Sequence, residues 1–251
     1  MTDETLPDAS RHPSDADRRR RQRSPFHLLR DAIIIVIVAL LVSFLVKSFL
    51  IKSFYIPSES MSDTLKVNDR ILVNELVPDV VALNRGDVVV FKDPGGWLTP
   101  QSKPEQAPIA AGFEWMLEAV GLANTDSGEH LVKRVIGLPG DHVVCCNSQG
   151  QMSVNSTPLD EPYVRLAWGA TRVSATDFDV TVPTDSLWVM GDNRGRSNDS
   201  RYQGANPGKG FVPLDDVVGR AFVVSWPAER WAWLDDYPAT FGAVPLSSAD
   251  R

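Results

Sequence analysis

Two serines stand one residue apart in Ile56-Pro57-Ser58-Glu59-Ser60-Met61. A lysine sits inside an apolar run, His130-Leu131-Val132-Lys133-Arg134-Val135-Ile136-Gly137. A hydrolase can be built from such a pair without histidine: the amine takes the hydroxyl proton while the oxygen attacks a carbonyl. Free lysine, with a pKa of about 10.4, is useless as a base at neutral pH. Burial lowers that value, because apolar surroundings penalise the charged form. If 130–137 is a strand, alternation puts Lys133 on the face of Leu131 and Val135. Taken alone, the commoner reading of this pattern is a lysine on the solvent face of a strand, and Ser58–Met61 alone is merely a polar turn.

Other chemistry has less to work with. His12 and His27 lie before a long apolar stretch, and His130 and His142 have no His or Cys at metal-ligand spacing. His142 follows a turn and reads as a surface or strand-start residue. No metal site and no cofactor are expected, and a Ser-His-Asp triad lacks a nucleophile-elbow pattern. The two cysteines, Cys145 and Cys146, are adjacent. That excludes a disulfide-stapled mini-protein, and because bridging neighbours needs a strained ring, thiols or rare oxidation are expected there. A formal charge of −7 and a pI of about 5.1 argue against a nucleic-acid partner.

The elements that must position Ser60 and Lys133 come next. The chain has 251 residues, 43% of them hydrophobic, enough for one medium domain plus extras. Its charge is uneven: residues 1–52 carry a net +3 and residues 53–251 a net −10. Residues 1–29 read as a disordered cytoplasmic tail, with Arg18, Arg19, Arg20, Arg21 and Arg23 just upstream of an apolar stretch. From Ala32 to Val46 the only polar residue is Ser43, and after Lys47 the apolar run resumes to Ile51. About 20 helical residues cover roughly 30 Å, one hydrocarbon core, so residues 30–52 are expected to be a single membrane anchor with Lys47 and Lys52 snorkelling at one end. The positive-inside rule puts the Arg-rich tail in the cytoplasm and residues 53–251 outside. A cleaved signal peptide competes with this reading. It would start earlier and be shorter, and SFYIPSESM offers no clean cleavage site.

Beyond the anchor, short apolar runs alternate with turn signals such as NRGD, DPGG, LPGD and GDNRGR. Strands are expected at Arg70–Val73, Asp87–Phe91, Leu131–Ile136, His142–Val144, Gln151–Val154, Phe178–Val182, Leu187–Met190 and Val217–Val224. This is a mainly β chain, with an antiparallel all-β catalytic region. Residues of about 93–130 read as an insertion with helical flavour at Phe113–Leu122, residues of about 142–186 as a second β-rich region, and the end from Pro238 as frayed.

These segments together resemble the bacterial type I signal peptidases. The resemblance is carried by Ser58-Glu59-Ser60-Met61, Arg85-Gly86-Asp87-Val88-Val89-Val90-Phe91, Lys133-Arg134-Val135-Ile136-Gly137-Leu138-Pro139-Gly140-Asp141, Gly191-Asp192-Asn193-Arg194 and Ser197-Asn198-Asp199-Ser200-Arg201. They stand in the family's order behind an apolar segment, over roughly residues 32–226. The cysteine pair and the 93–130 insertion are most similar to actinobacterial members.

The resemblance implies an activity: a membrane-bound serine endopeptidase that removes signal peptides from preproteins, through Ser60 as nucleophile and Lys133 as general base. It also implies an oxyanion hole from the Ser58 hydroxyl and the Ser60 N–H, a Ser197 hydroxyl that orients the lysine, and a supporting Asp199–Arg201 ion pair. Phe54, Ile56, Pro57, Leu65, Ile71 and Val132 would line pockets for small substrate residues. The partners it implies are preprotein signal peptides, the lipid bilayer and the secretion translocon. Trp97, Trp115, Trp168, Trp226, Trp231 and Trp233 are candidates for a membrane-touching surface or for ordinary packing. Two alternatives stand beside this reading: a Ser/Lys protease dedicated to one regulatory substrate, and an inactive anchored binding module. The chain departs from the family at Glu59, where glycine is common, and at Asp63, where proline is usual. A positive φ is not expected at Glu59.

Overall fold

The computed structural model describes residues 25–98 and 130–247. The expected tail up to residue 24, most of the insertion, Phe113–Leu122 and Trp115 lie outside them. The chain divides into two units, Met1–Leu45 and Val46–Arg251.

The first unit contains most of helix α1, Pro25–Phe49. The helix starts five residues before the expected anchor and stops short of its expected end, because Ile51 and Lys52 pair with Asn74 and Val73 as the start of a strand. Lys52 is thus tied to a β ladder and to Glu75, at 2.5 Å, where a snorkelling lysine was expected. The described side chains of α1 run from Leu29 to Ser43. Among the described residues no helix is long and apolar enough to cross a membrane.

The second unit is almost wholly antiparallel. Its described strands are β1 (Ile51–Tyr55), β2 (Arg70–Asn74), β3 (Val88–Lys92), β4 (His130–Gly137), β5 (His142–Cys145), β6 (Met152–Val154), β7 (Thr157–Pro158), β8 (Phe178–Thr181), β9 (Ser186–Met190), β10 (Val212–Pro213), β11 (Val217–Trp226) and β12 (Ala232–Trp233). One sheet runs β1-β2-β11-β3-β4-β9-β10, with β12 on β11, and a four-stranded sheet runs β7-β6-β5-β8. All eight strands expected from the sequence are present. The short β7, β10 and β12 gave too few residues for alternation to register, and β1 was hidden in the expected anchor and the turn after it.

Alternation explains the packing. In β3, Val88 and Val90 join a core with Phe54, Ile56, Met61, Leu65 and Ile71, while Val89 and Phe91 join another with Leu131, Val135, Leu187 and Val189. Each face of the central strand therefore has its own apolar layer. A third core, including Ile136, Val143, Met152, Val154 and Trp188, ties the small sheet to β4 and β9. Gly137 sits at that junction, where a Cβ would lie 2.8 Å from Val143 Cγ2, so the two sheets approach there only through glycine.

Two further expectations are corrected. The end does not fray through residue 247: Pro238–Phe241 forms a short helix α2, Phe241 and Val244 are buried, and Arg85 donates to the Pro245 carbonyl at 3.2 Å. Apolar burial and this buried donor hold the segment down. Cys145 and Cys146 are joined by a disulfide across a cis peptide bond. Of the tryptophans, Trp97 is buried edge-on against Phe91, whereas Trp168, Trp226, Trp231 and Trp233 are exposed.

Candidate active site

Ser60 lies on the loop between β1 and β2, and Met61 and Leu65 pin that loop by sinking into the β1–β2 core. Turns closed by Ser62 N–H on Glu59 O (3.1 Å) and Leu65 N–H on Met61 O (2.7 Å) fix its course. From the other side, Asn193 N–H donates to Ser60 O at 3.1 Å and Asn193 Nδ2 to Glu59 O at 3.0 Å. Glu59 has no positive φ, but Asp63 does, at 84°. A proline, whose φ is fixed near about −65°, has no place in this backbone.

Lys133 comes from β4, paired across from Val89 and therefore on the face of Leu131 and Val135. It is only 4% exposed. Its Nζ donates to Ser60 Oγ at 2.9 Å and to Val132 O at 3.0 Å. Burial lowers its pKa from the ordinary lysine value to about 8, and the nearby carboxylates of Asp199 and Asp192 pull it part of the way back up. An amine in this state is neutral in a useful fraction of molecules near neutral pH. Placed against a hydroxyl, it can accept that proton.

Ser58 is exposed, with Oγ 3.3 Å from Ser60 Oγ. Ser197 is buried, but its Oγ makes no hydrogen bond of ordinary geometry; the lysine amine is oriented by Val132 O instead. Ser197 Oγ lies close enough to Asp199 to help keep that carboxyl ionised. Between Ser197 and Ser60 passes Gly191, where a Cβ would fall 2.2 Å from Ser197 Oγ and 2.5 Å from Ser60 O. Backbone without a side chain is what lets these two serines come so near.

Asp199 and Arg201 form a fully buried bidentate pair at 2.7 and 2.8 Å, and Asp199 also accepts from Gly191 N–H at 3.0 Å. Burial opposes ionisation of Asp199, yet the hydrogen bonds and charge of Arg201 outweigh it and hold the carboxyl below its usual range. The pair braces the Gly191 backbone and so acts on the site indirectly.

The expected pocket residues divide. Phe54, Ile56, Leu65, Ile71 and Val132 share one apolar cluster, but Leu65 and Ile71 are 0% exposed and belong to its interior. Pro57 is exposed and lies outside the cluster. Val132, partly buried, marks where the cluster reaches the surface. His130 packs edge-on against Phe54, and His142 pairs with Asp179 at 2.6 Å on the small sheet. Among the described residues no group of side chains could hold a metal ion.

Sequence reasoning assigned no role to Arg134, Asp192, Asn193 or Thr64. Arg134 and Asp192 form a bidentate pair with no exposed side-chain surface (2.9 and 2.8 Å), and Thr64 Oγ1 donates to Asp192 at 2.6 Å. Arg134 also donates to the carbonyls of Gly86 and Asp235 and lies over the rings of Tyr163 and Tyr237. An arginine next to Lys133 in an apolar strand was a signal for this partner.

An antiparallel β fold that brings a serine hydroxyl against a buried amine is an arrangement suited to a peptidase. Comparison with known proteins gives the same class: a family model described as signal peptidase, peptidase S26, matches residues 29–226. Within that family the chain belongs to the bacterial type I signal peptidases. A probable signal peptidase I of Mycobacterium leprae is 36% identical over 222 residues, covering 79% of this chain and 76% of its own length. Signal peptidase I of Mycobacterium tuberculosis is 34% identical, with 81% and 74% covered. A solved signal peptidase I of Enterococcus faecalis is 25% identical and covers 55% of this chain and 95% of its own, with a TM-score of 0.35.

With neutral Lys133 acting as the base, the rate of cleavage is expected to rise with pH through a midpoint of about 8 and then level off. Single-turnover rates between pH 6 and 10 check this. A rate that is flat over this range would show that Lys133 does not titrate in the rate-limiting step.

Proposed function

We propose that this chain is a membrane-bound endopeptidase that removes signal peptides from preproteins with Ser60 as nucleophile and Lys133 as general base. The 2.9 Å contact between Lys133 Nζ and Ser60 Oγ, made by a buried amine of lowered pKa, carries the reading. The neutral amine takes the Ser60 proton while Oγ bonds to the scissile carbonyl carbon. The oxyanion forms beside the Ser58 hydroxyl and the Ser60 N–H. The C–N bond then breaks, and the leaving amine takes the proton back from the lysine. Water, deprotonated by the same amine, releases the acyl group and restores Ser60.

Ala, Gly or Ser at the first and third positions before the cut belong to this reading, and the apolar cluster shared by Phe54, Ile56 and Val132 supports an apolar rather than a polar site for them. A bilayer around α1 is supported by its surface. Leu29, Ile33–Val38 and Leu40–Val42 are each at least half exposed, a stripe that covers every side of the helix. With the Arg-rich tail on the cytoplasmic side, the catalytic unit lies outside, where preproteins emerge; the secretion translocon is then its neighbour.

One experiment tests the activity. Detergent-solubilised full-length protein is incubated with a preprotein and the new amino terminus is mapped by mass spectrometry. A single cut after a small residue is expected, and no cut, or efficient cutting after Leu or Phe, would overturn the reading. In cell membranes isolated before any detergent is added, the protein should stay with the pellet through an alkaline carbonate wash; release into the supernatant would overturn the anchor.

A further inference from the structure

A cavity of about 610 Å³ opens directly beside the Ser60 loop. Its lining includes Glu59 and Ser62 from that loop, Asn193, and the cationic and aromatic side chains of Arg165, Arg196 and Trp168. It shares no residue with the apolar cluster of Phe54, Ile56 and Val132. The wall is fastened to the nucleophile by a short chain of backbone contacts. Arg165 bridges in parallel to Asn193, Arg165 N–H donates to Asp192 O at 2.8 Å, and Arg194 N–H donates to Arg165 O at 2.9 Å. Asn193 in turn holds Ser60 O and Glu59 O. A polypeptide whose scissile carbonyl rests at Ser60 has two directions to leave. The residues before the cut go to the apolar side, so those after it are left the polar cavity.

The cations in this wall are only loosely committed. Arg196 pairs with Glu59, and Arg165 pairs with Asp63 at 3.0 Å; all four side chains are more than half exposed. Such exposed surface pairs contribute little, so a substrate carboxylate can replace the protein's own. Trp168 is fully exposed at the rim and offers a flat face to an extended chain. Glu59 is the one anionic side chain in the lining, against two guanidinium groups.

We propose that this cavity binds the first few residues of the mature protein, after the cut, and that Arg165 and Arg196 select acidic side chains there. The proposal rests on the signal-peptide-cleaving reading above. Glu59 tempers the selection by competing for Arg196.

A matched preprotein series tests it, with Asp, Asn or Lys at the second to fourth positions after the cut. kcat/KM is measured for each by mass-spectrometric time course. The Asp form should exceed the Lys form by about tenfold at low salt, two weak pairs' worth, and the ratio should shrink toward about twofold at high salt, where the Debye length is a few ångströms. In the Arg165→Gln/Arg196→Gln protein the ratio should fall to near one, and in Glu59→Gln it should rise. Each ratio is internal to one protein, so partial loss of folded enzyme does not affect it, and the salt dependence needs no variant at all. Equal cleavage of the three substrates by the unaltered protein, or a ratio indifferent to both arginines, overturns this proposal alone. Failure to cut any member overturns the signal-peptide reading and this one with it.

Discussion

Replacing Ser60 by Ala, or Lys133 by Ala, should abolish preprotein processing, with a loss of roughly 10⁴-fold or more in kcat, while circular dichroism shows a folded protein. Ser60 Oγ accepts its one strong hydrogen bond from an amine whose lowered pKa suits it to the proposed role of base. In that reading, without the amine the hydroxyl keeps its proton, and without the hydroxyl nothing attacks. The two losses should therefore fail to add in the double variant. Lys133→Arg should be as damaging as Lys133→Ala, because guanidinium stays protonated at any working pH. His142, paired with Asp179 on the small sheet, and His130, edge-on to Phe54, are outside this contact. His130→Ala and His142→Ala should each keep activity within about tenfold, a barrier change of about 1.4 kcal/mol. Processing at the normal rate by Lys133→Ala would reject the pair, and a total loss in either histidine variant would bring a triad back into consideration.

What the sequence made legible was local. Lys133 could be placed on an apolar face because β4 is long enough for alternation to show, and Ser60 could be paired with it only through the resemblance, since no local pattern links residues 73 positions apart. Alternation also located the long strands, but it could not say that β11 pairs with both β2 and β3 and so closes the sheet behind the site. The pocket residues show the limit well. The resemblance alone named Leu65 and Ile71 as pocket lining, and both are fully buried in the apolar cluster, a depth that no local pattern reveals. The hydroxyl of Ser197 was expected on the lysine, and the amine turns instead to Val132 O, a backbone acceptor that no residue pattern announces. The boundary of α1 was misjudged for a similar reason. Ile51 is as apolar as the residues before it, and only its pairing with Asn74 makes it part of a strand.

Asp192→Asn should be the most destabilising conservative change in the catalytic unit, and it should also move the pH profile. Arg134 and Asp192 have no exposed side-chain surface, and the carboxylate answers two guanidinium bonds and one from Thr64. Asparagine keeps the shape but leaves a buried cation without its counter-charge, a loss of about 3–5 kcal/mol. For a unit of this size, that corresponds to a fall in Tm on the order of 10 °C, read by circular dichroism on the detergent-solubilised protein. The same carboxylate raises the pKa of Lys133 against the effect of burial. Removing its charge therefore favours the neutral amine, so the midpoint of the rate profile should shift below about 8 in whatever fraction remains folded. A purely structural role for Asp192 would lower Tm and leave that midpoint where it was. The two readouts separate its support of the strand from its charge on the base. An unchanged Tm would mean that Arg134 finds its compensation elsewhere, in the Gly86 and Asp235 carbonyls and the faces of Tyr163 and Tyr237.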